Sequence, residues 1–272
     1  MPGKSPAGAP GKAPAPAPSA GTGRPAAAPA SSGGSAAPPP GGAAGIRRRL
    51  MWIYRTLHAA LGPCGWWPGD SPFEVMTGAV LTQNTAWRNV ERAIANLRAL
   101  GLMTPEAVLA ADRAGLEEAL RPSGYYTVKA RRLLALCSFI TEHGRGGLDP
   151  EVLRLPAEEL RRRLLAVSGV GPETADSIVL YAAGRASFVV DAYTRRILSR
   201  HSLISGDEPY GDIRELFMGH LAPDVPLYNE YHALIVVAGH RFCRPKGPRC
   251  GLCPIGSDPW LSGELKAAAG RG

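Results

Sequence analysis

Apolar residues recur at three- and four-residue spacing from Arg47 onward, and no stretch of six or more alternates strictly between apolar and polar side chains. The pattern predicts an all-α chain, with helices over 46–61, 72–84, 86–100, 105–111, 115–121, 127–143, 157–167, 172–183, 191–204, 210–221 and 227–240. Punctuation agrees with it. Pro72, Pro105 and Pro172 fall in first turns, where a missing N–H costs nothing, and Gly101, Gly144 and Gly184 fall just past helix ends. Ser187–Val190 reads as a short extended run that feeds the helix at Asp191. Before Ile46 the periodicity stops: residues 1–45 are almost wholly Ala, Pro, Gly and Ser, with too little apolar surface to offset the entropy of ordering, and are expected to form a disordered tail. Residues 264–272 read as a frayed end. The remainder is expected to form two lobes, a central helical domain over 72–186 and a second lobe assembled from 46–71 and 187–263.

Charge adds a modest hint. Lys and Arg number 31 against 23 Asp and Glu, a net charge of +8, and leaving out the tail cations Lys4, Lys12 and Arg24 gives +5. Such an excess suits a polyanionic partner, and many metabolic enzymes as well. No run of about 18 apolar residues exists to span a membrane, and the N-terminal stretch lacks the apolar segment of a signal peptide, so the expected location is the cytoplasm. Three of the five cysteines, Cys243, Cys250 and Cys253, crowd one short segment, which in a reducing compartment reads as a metal site before it reads as disulfides.

The run Leu164–Tyr181 ends one helix, turns at Gly169-Val170-Gly171 and restarts at Pro172. Two glycines around one apolar residue let the backbone reverse with its N–H groups outward, while Val170 plugs the space between the helices; the next helix N-terminus adds partial positive charge. Such a turn can hold a phosphate, or be a plain helical hairpin. Asp191 follows eighteen residues after Glu173, behind the apolar run Phe188-Val-Val, where it can be an N-cap or a working carboxylate.

Together, Val170 to Arg196 resembles the helix-hairpin-helix and Gly-Pro-Asp signature of the endonuclease III superfamily of DNA glycosylases. The resemblance implies that Gly169 and Gly171, flanking Val170, grip a DNA phosphate through backbone N–H groups and that Asp191 serves the chemistry. Ala79-Val-Leu-Thr-Gln-Asn-Thr85 is similar to the family's helix bearing a duplex-probing glutamine, here Gln83, and Ser123-Gly-Tyr-Tyr-Thr-Val-Lys-Ala130 to another of its recurrent stretches. Bifunctional members carry a hairpin lysine whose amine forms a Schiff base and allows strand cleavage. Here that position is Glu173, which cannot form an imine, so no lysine-dependent lyase step is expected; in the first turn behind Pro172 the same acid also complements the helix dipole.

That departure resembles the 3-methyladenine DNA glycosylase III branch, which carries glutamate there, followed by a segment like Thr174-Ala-Asp-Ser177. Trp66, Trp67 and Trp87 are similar to that branch's base-pocket aromatics, though core packing would explain them too. An alkylated purine already carries positive charge, so a pocket of indoles can select it without protonating it. Asp191 would stabilise the oxocarbenium-like sugar and orient water, and Gln83 would fill the gap left by the flipped nucleotide.

Cys243-x6-Cys250-x2-Cys253 resembles the first three ligands of the superfamily's iron–sulfur loop, but the fourth position is Pro259. The resemblance implies a [4Fe–4S] cluster with an atypical fourth ligand, for which Asp258 stands nearest; a zinc site drawing on His240 is the alternative. Arg241, Arg244, Lys246 and Arg249 would carry that loop to the DNA backbone. The expected protein is a two-lobed, monomeric, monofunctional glycosylase of base-excision repair acting on double-stranded DNA with a damaged base, alkylated purines first. The alternatives are an endonuclease III-like enzyme for oxidised pyrimidines and a catalytically silent lesion-binding protein.

Overall fold

A computed structural model describes residues 42–261; most of the expected tail, residues 1–41, and the expected frayed end, 264–272, lie outside the described residues. The described chain is helical, in the order α1 (Ala43–Leu61), α2 (Pro72–Leu81), α3 (Trp87–Ala99), α4 (Pro105–Ala110), α5 (Arg113–Leu120), α6 (Tyr126–Glu142), α7 (Ala157–Leu165), α8 (Pro172–Ser177), α9 (Ala192–Arg200), α10 (Tyr210–Met218) and α11 (Val225–Arg241). Side-chain caps start several of these helices: Ser71 accepts from the Glu74 amide, Thr104 from Ala107, Asp112 from Gly115 and Asp224 from Leu227. No strand occurs among the described residues, and Phe188–Val190 is extended without a pairing partner.

Many boundaries differ from the periodicity by one to four residues, and three of the departures have a local reason. Helix α1 begins at Ala43, three residues inside the expected tail, directly after Gly42 with its φ of 84°. Helix α2 stops at Leu81 because Asn84 takes a left-handed φ of 54°, and α9 stops at Arg200 because Ser202 does the same.

Two apolar cores form. One gathers Phe73, Met76, Leu97, Leu133, Leu136, Ile140, Leu164 and Val179 from α2, α3, α6, α7 and the turn that follows α8. The other joins Leu50, Ile53 and Leu57 of α1 to Phe188, Val189 and Val190, to Phe217 of α10, and to Tyr228, Tyr231, Leu234 and Ile235 of α11. Phe188 stacks on Phe217 with ring centres 3.6 Å apart and meets Tyr228 and Tyr231 edge-on. Fully burying one such phenyl ring contributes roughly 2–3 kcal/mol, so the run before Asp191 is firmly seated. The chain crosses between the cores in the wide π-turn Ile178–Ala182 that continues α8, where Val179 belongs to the first core and Leu180 to the second.

Candidate active site

The hairpin between α7 and α8 needs its two glycines for different reasons. Gly169 has φ of 86°, and a Cβ there would collide with the Arg132 side chain. Gly171 is extended, and a Cβ there would meet nothing within 4 Å. What Gly171 provides is an open approach to the start of α8, whose first N–H groups have no side-chain cap. Val170 is buried beneath the turn, with its amide donating to the Val167 carbonyl at 3.0 Å.

Gln83 lies in the turn after α2 and is bound to this hairpin. Its Nε2 donates to the Gly169 carbonyl at 3.0 Å and to Thr174 Oγ1 at 2.9 Å, and the Arg132 guanidinium donates to its Oε1. Inserting Gln83 into a duplex, the role its resemblance implies, requires these bonds to break.

Asp191 is the N-cap of α9 and still keeps one oxygen for other work. Its Oδ1 accepts from the Thr194 amide at 2.7 Å and the Thr194 hydroxyl at 2.8 Å, while Oδ2 stands 3.6 Å from His232 Nε2. Burial opposes its ionisation, yet His232 and Thr194 together hold its carboxyl below the usual carboxylate range. Glu173 faces the opposite pull. It sits at the rim, open to solvent on one side, but its protein surroundings and the charge of Asp191 push its carboxyl up to about 7, against the opposing influence of His232.

Sequence reasoning missed His232 and Tyr181, whose roles depend on contacts across 51 residues of chain. Tyr181 Oη lies 2.6 Å from His232 Nδ1. Burial and neighbouring carboxylates raise the Tyr181 pKa well above 10, so its O–H persists and can donate to Nδ1. With Nδ1 turned to Tyr181, Nε2 is the ring nitrogen that faces Asp191. This buried Nε2 reaches only Asp191, at 3.6 Å, and the buried Nε1 of Trp66 faces Tyr181 without a close hydrogen bond.

The three tryptophans converge on the same place. Ring centres are 5.6 Å apart for Trp66–Trp67, 6.0 Å for Trp66–Trp87 and 5.1 Å for Trp67–Trp87, and Trp67 lies 5.0 Å from Tyr181. All three are half-buried, and the weakly engaged Trp66 N–H gives this aromatic enclosure a polar contact to offer. A concavity of about 360 Å³ between Glu106 and Arg154 is a surface notch away from these residues.

Asp176, quoted above only as part of a similar segment, organises the approach to Asp191. Fully buried, it is paired to Arg161 at 2.8 Å and Arg214 at 3.2 Å and accepts from the hydroxyls of Ser187 and Tyr210, the latter at 2.8 Å. The Tyr210 oxygen also accepts from the Val190 amide at 3.3 Å, so the network holds both ends of Ser187–Val190.

The cysteine loop is tied to α9. Arg196 donates to the Cys243 carbonyl at 2.6 Å, and Arg200 to Cys243 Sγ at 3.3 Å and the Arg244 carbonyl at 2.7 Å. Arg241, Arg244, Lys246 and Arg249 are all exposed. Cys243, Cys250 and Cys253 line one cavity of about 40 Å³. Two expected ligands do not join them. Asp258 is fully buried and already engaged, its Oδ1 with the Trp260 amide at 2.9 Å and its Oδ2 with Arg49 at 3.1 Å and His201 Nδ1 at 2.7 Å. His240 is exposed on α11 and does not line the cavity. Among the described residues no three His, Cys, Asp or Glu side chains are set to hold a metal ion.

A glycine hairpin, a helix-capping aspartate and an aromatic enclosure on an all-helical scaffold define a helix-hairpin-helix protein. Residues 77–223 match the model of the HhH-GPD superfamily of base excision DNA repair proteins, and the chain belongs to that family. It is 46% identical over 205 residues to a candidate DNA repair glycosylase of Methanocaldococcus jannaschii, covering 75% of this chain and 92% of that one. An endonuclease III of Sulfolobus acidocaldarius is 28% identical over 67% of this chain and 79% of its own. Among solved structures, H. pylori 3-methyladenine DNA glycosylase (MagIII) bound to 1,N6-ethenoadenine matches with a TM-score of 0.59 at 26% identity, over 72% of this chain and 97% of that one. A non-covalent endonuclease III–DNA complex shares the fold, with a TM-score of 0.68 at 22% identity over 82% and 97% of the two chains.

Proposed function

We propose that this protein is a monofunctional DNA glycosylase that hydrolyses the N-glycosidic bond of an extruded damaged base, with alkylated purines as the preferred lesions. The observation that carries the reading is the double use of Asp191: Oδ1 caps α9 while Oδ2 remains available beside His232 and Glu173, next to three clustered indoles. An indole enclosure attracts and stacks a cationic purine, which needs no proton to leave. The ionised Asp191 stabilises positive charge developing on the sugar and orients the water whose oxygen replaces the base at C1′. Glu173, in the position of the lyase lysine, holds its proton below pH about 7 and leaves Asp191 as the fixed negative charge of the pair.

The uncapped start of α8 at Gly171 suits a phosphate oxygen, and the four exposed cations of the cysteine loop suit the DNA backbone nearby. The described residues contain two lysines. Lys129 is buried with Nζ donating to the Leu81 and Ser123 carbonyls at 2.8 and 2.6 Å, and Lys246 lies on the exposed loop. Neither offers an amine beside Asp191, which supports hydrolysis without a Schiff base. The donor set of the loop suits an iron–sulfur cluster, which Cys243, Cys250 and Cys253 would hold; when bound it would brace the loop rather than supply chemistry on the sugar. The site of action is chromosomal DNA in the cytoplasm.

Duplexes carrying single defined lesions, scored separately for base loss and strand nicking, test this. Base loss from methylated purines without nicking is expected. Nicking with a borohydride-trapped adduct on oxidised pyrimidines would replace this reading with the endonuclease III type, and lesion-selective binding without base loss would replace it with a silent binder.

A further inference from the structure

The cysteine cavity has a fourth wall that the spacing of the cysteines does not reveal. His201, the residue after α9, lines it together with Cys243, Cys250 and Cys253. Its Nδ1 is bonded to Asp258 Oδ2 at 2.7 Å, so Nε2 is the ring nitrogen left for the cavity. Asp258 is in turn paired to Arg49 of α1, and the same guanidinium donates to the His201 carbonyl. Two nearly or fully buried ionisable residues, Arg49 of α1 and Asp258 beyond the cysteines, thus hold His201, and neither lies in the enclosure around Asp191.

We propose that His201 is the fourth protein ligand of a [4Fe–4S] cluster, binding iron through Nε2, with Asp258 and Arg49 as the residues that orient it. A metal-bound imidazole characteristically donates its other N–H to a carboxylate, which fixes the tautomer and aims the ring, and Asp258 stands in that relation to His201. The same bonds explain why Asp258 itself is not the ligand: both of its oxygens are already satisfied inside the protein. The four donors surround a cavity without converging on a single point, as thiolates at about 2.3 Å from one zinc would have to do. Donors spread around a cavity suit a cluster whose iron atoms occupy separate corners. The inference rests on the cofactor reading of the loop and is independent of which base the enzyme releases.

The full chain, purified without oxygen, provides the test. About four irons per chain and a broad absorption at about 400 nm are expected, together with a directly bound nitrogen coupling in pulsed EPR of the reduced or oxidised cluster. His201→Cys should keep the iron and the absorption but lose the nitrogen coupling, and His201→Ala should be isolated with about three irons per chain. Wild-type protein with a full cluster and no nitrogen coupling overturns the assignment even if both variants fail to fold. A colourless wild type carrying one zinc, wild type without metal, or His201→Ala with an unaltered cluster overturns it equally.

Discussion

Replacing Glu173 by glutamine removes one ionisable proton from the centre while keeping the side-chain size. The carboxyl is raised from 4.5 to about 7 by its surroundings and by Asp191. In a sealed site that rise would correspond to roughly 3.4 kcal/mol, at about 1.36 kcal/mol per factor of ten in the equilibrium. The side chain is open to solvent at the rim, so screening leaves about 1 kcal/mol. The sign follows from proton counting: between pH about 4.5 and about 7 the folded protein retains a proton that the unfolded chain has released. This contribution is complete at low pH and lost as pH climbs through the folded value. Wild type should therefore lose about 1 kcal/mol relative to Glu173→Gln on going from pH about 5 to about 8, read by urea unfolding of both proteins at each pH, where all other titrations cancel in the difference. Parallel pH dependences would refute the claim that Asp191 and enclosure hold this proton. Release of a cationic purine should survive the exchange within about tenfold; a loss of about 100-fold or more would show that Glu173 delivers a proton in the reaction.

Asp191→Asn should abolish base release in single-turnover assays while duplex binding and folding persist, because asparagine caps a helix about as well as aspartate; equal loss of release and binding would reduce Asp191 to its capping role. Gly169→Ala forces a side chain into a left-handed conformation and against Arg132, and should cost about 1–3 kcal/mol in urea unfolding. Gly171→Ala meets no atom within 4 Å, and should fold nearly as well yet bind damaged and undamaged duplexes more weakly by the same factor in fluorescence anisotropy. Asp176→Ala leaves Arg161 and Arg214 without their buried partner and should cost about 3–5 kcal/mol in the same unfolding assay.

The features legible in the sequence were those fixed by local chemistry. Helices announced themselves by apolar spacing, prolines in first turns and glycines past ends; the hairpin did so by Gly169-Val170-Gly171, whose meaning lies within a few residues of chain. Tyr181, His232, Asp176 and His201 gave no such signal, because each acquires its place from a partner far along the sequence: 51 residues for Tyr181 with His232, 34 for Asp176 with Tyr210, and 57 for His201 with Asp258. A spacing rule also misdirected the cysteine loop. Asp258 is adjacent in sequence to the missing fourth ligand position, yet folding turns it inward to Arg49, and a histidine from another element takes the wall of the cavity.

Capping and catalysis at Asp191, offered by the sequence as alternatives, are compatible because a carboxylate has two oxygens. Oδ1, held by the Thr194 amide and hydroxyl, fixes the torsions of the side chain, and that fixation is what aims Oδ2 toward His232. The same logic extends outward. The apolar run behind Asp191 is clamped by Phe188 stacking and by the Asp176–Tyr210 network, and the helix ahead of it is clamped to the cysteine loop by Arg196 and Arg200. A group that must meet developing charge on a sugar needs its position settled before the substrate arrives, since reorganisation during the reaction would consume the electrostatic gain. On the proposed function, the cap, the buried network and the loop are successive layers of one positioning device, and loosening any of them should lower base release more than it lowers the affinity for undamaged duplex.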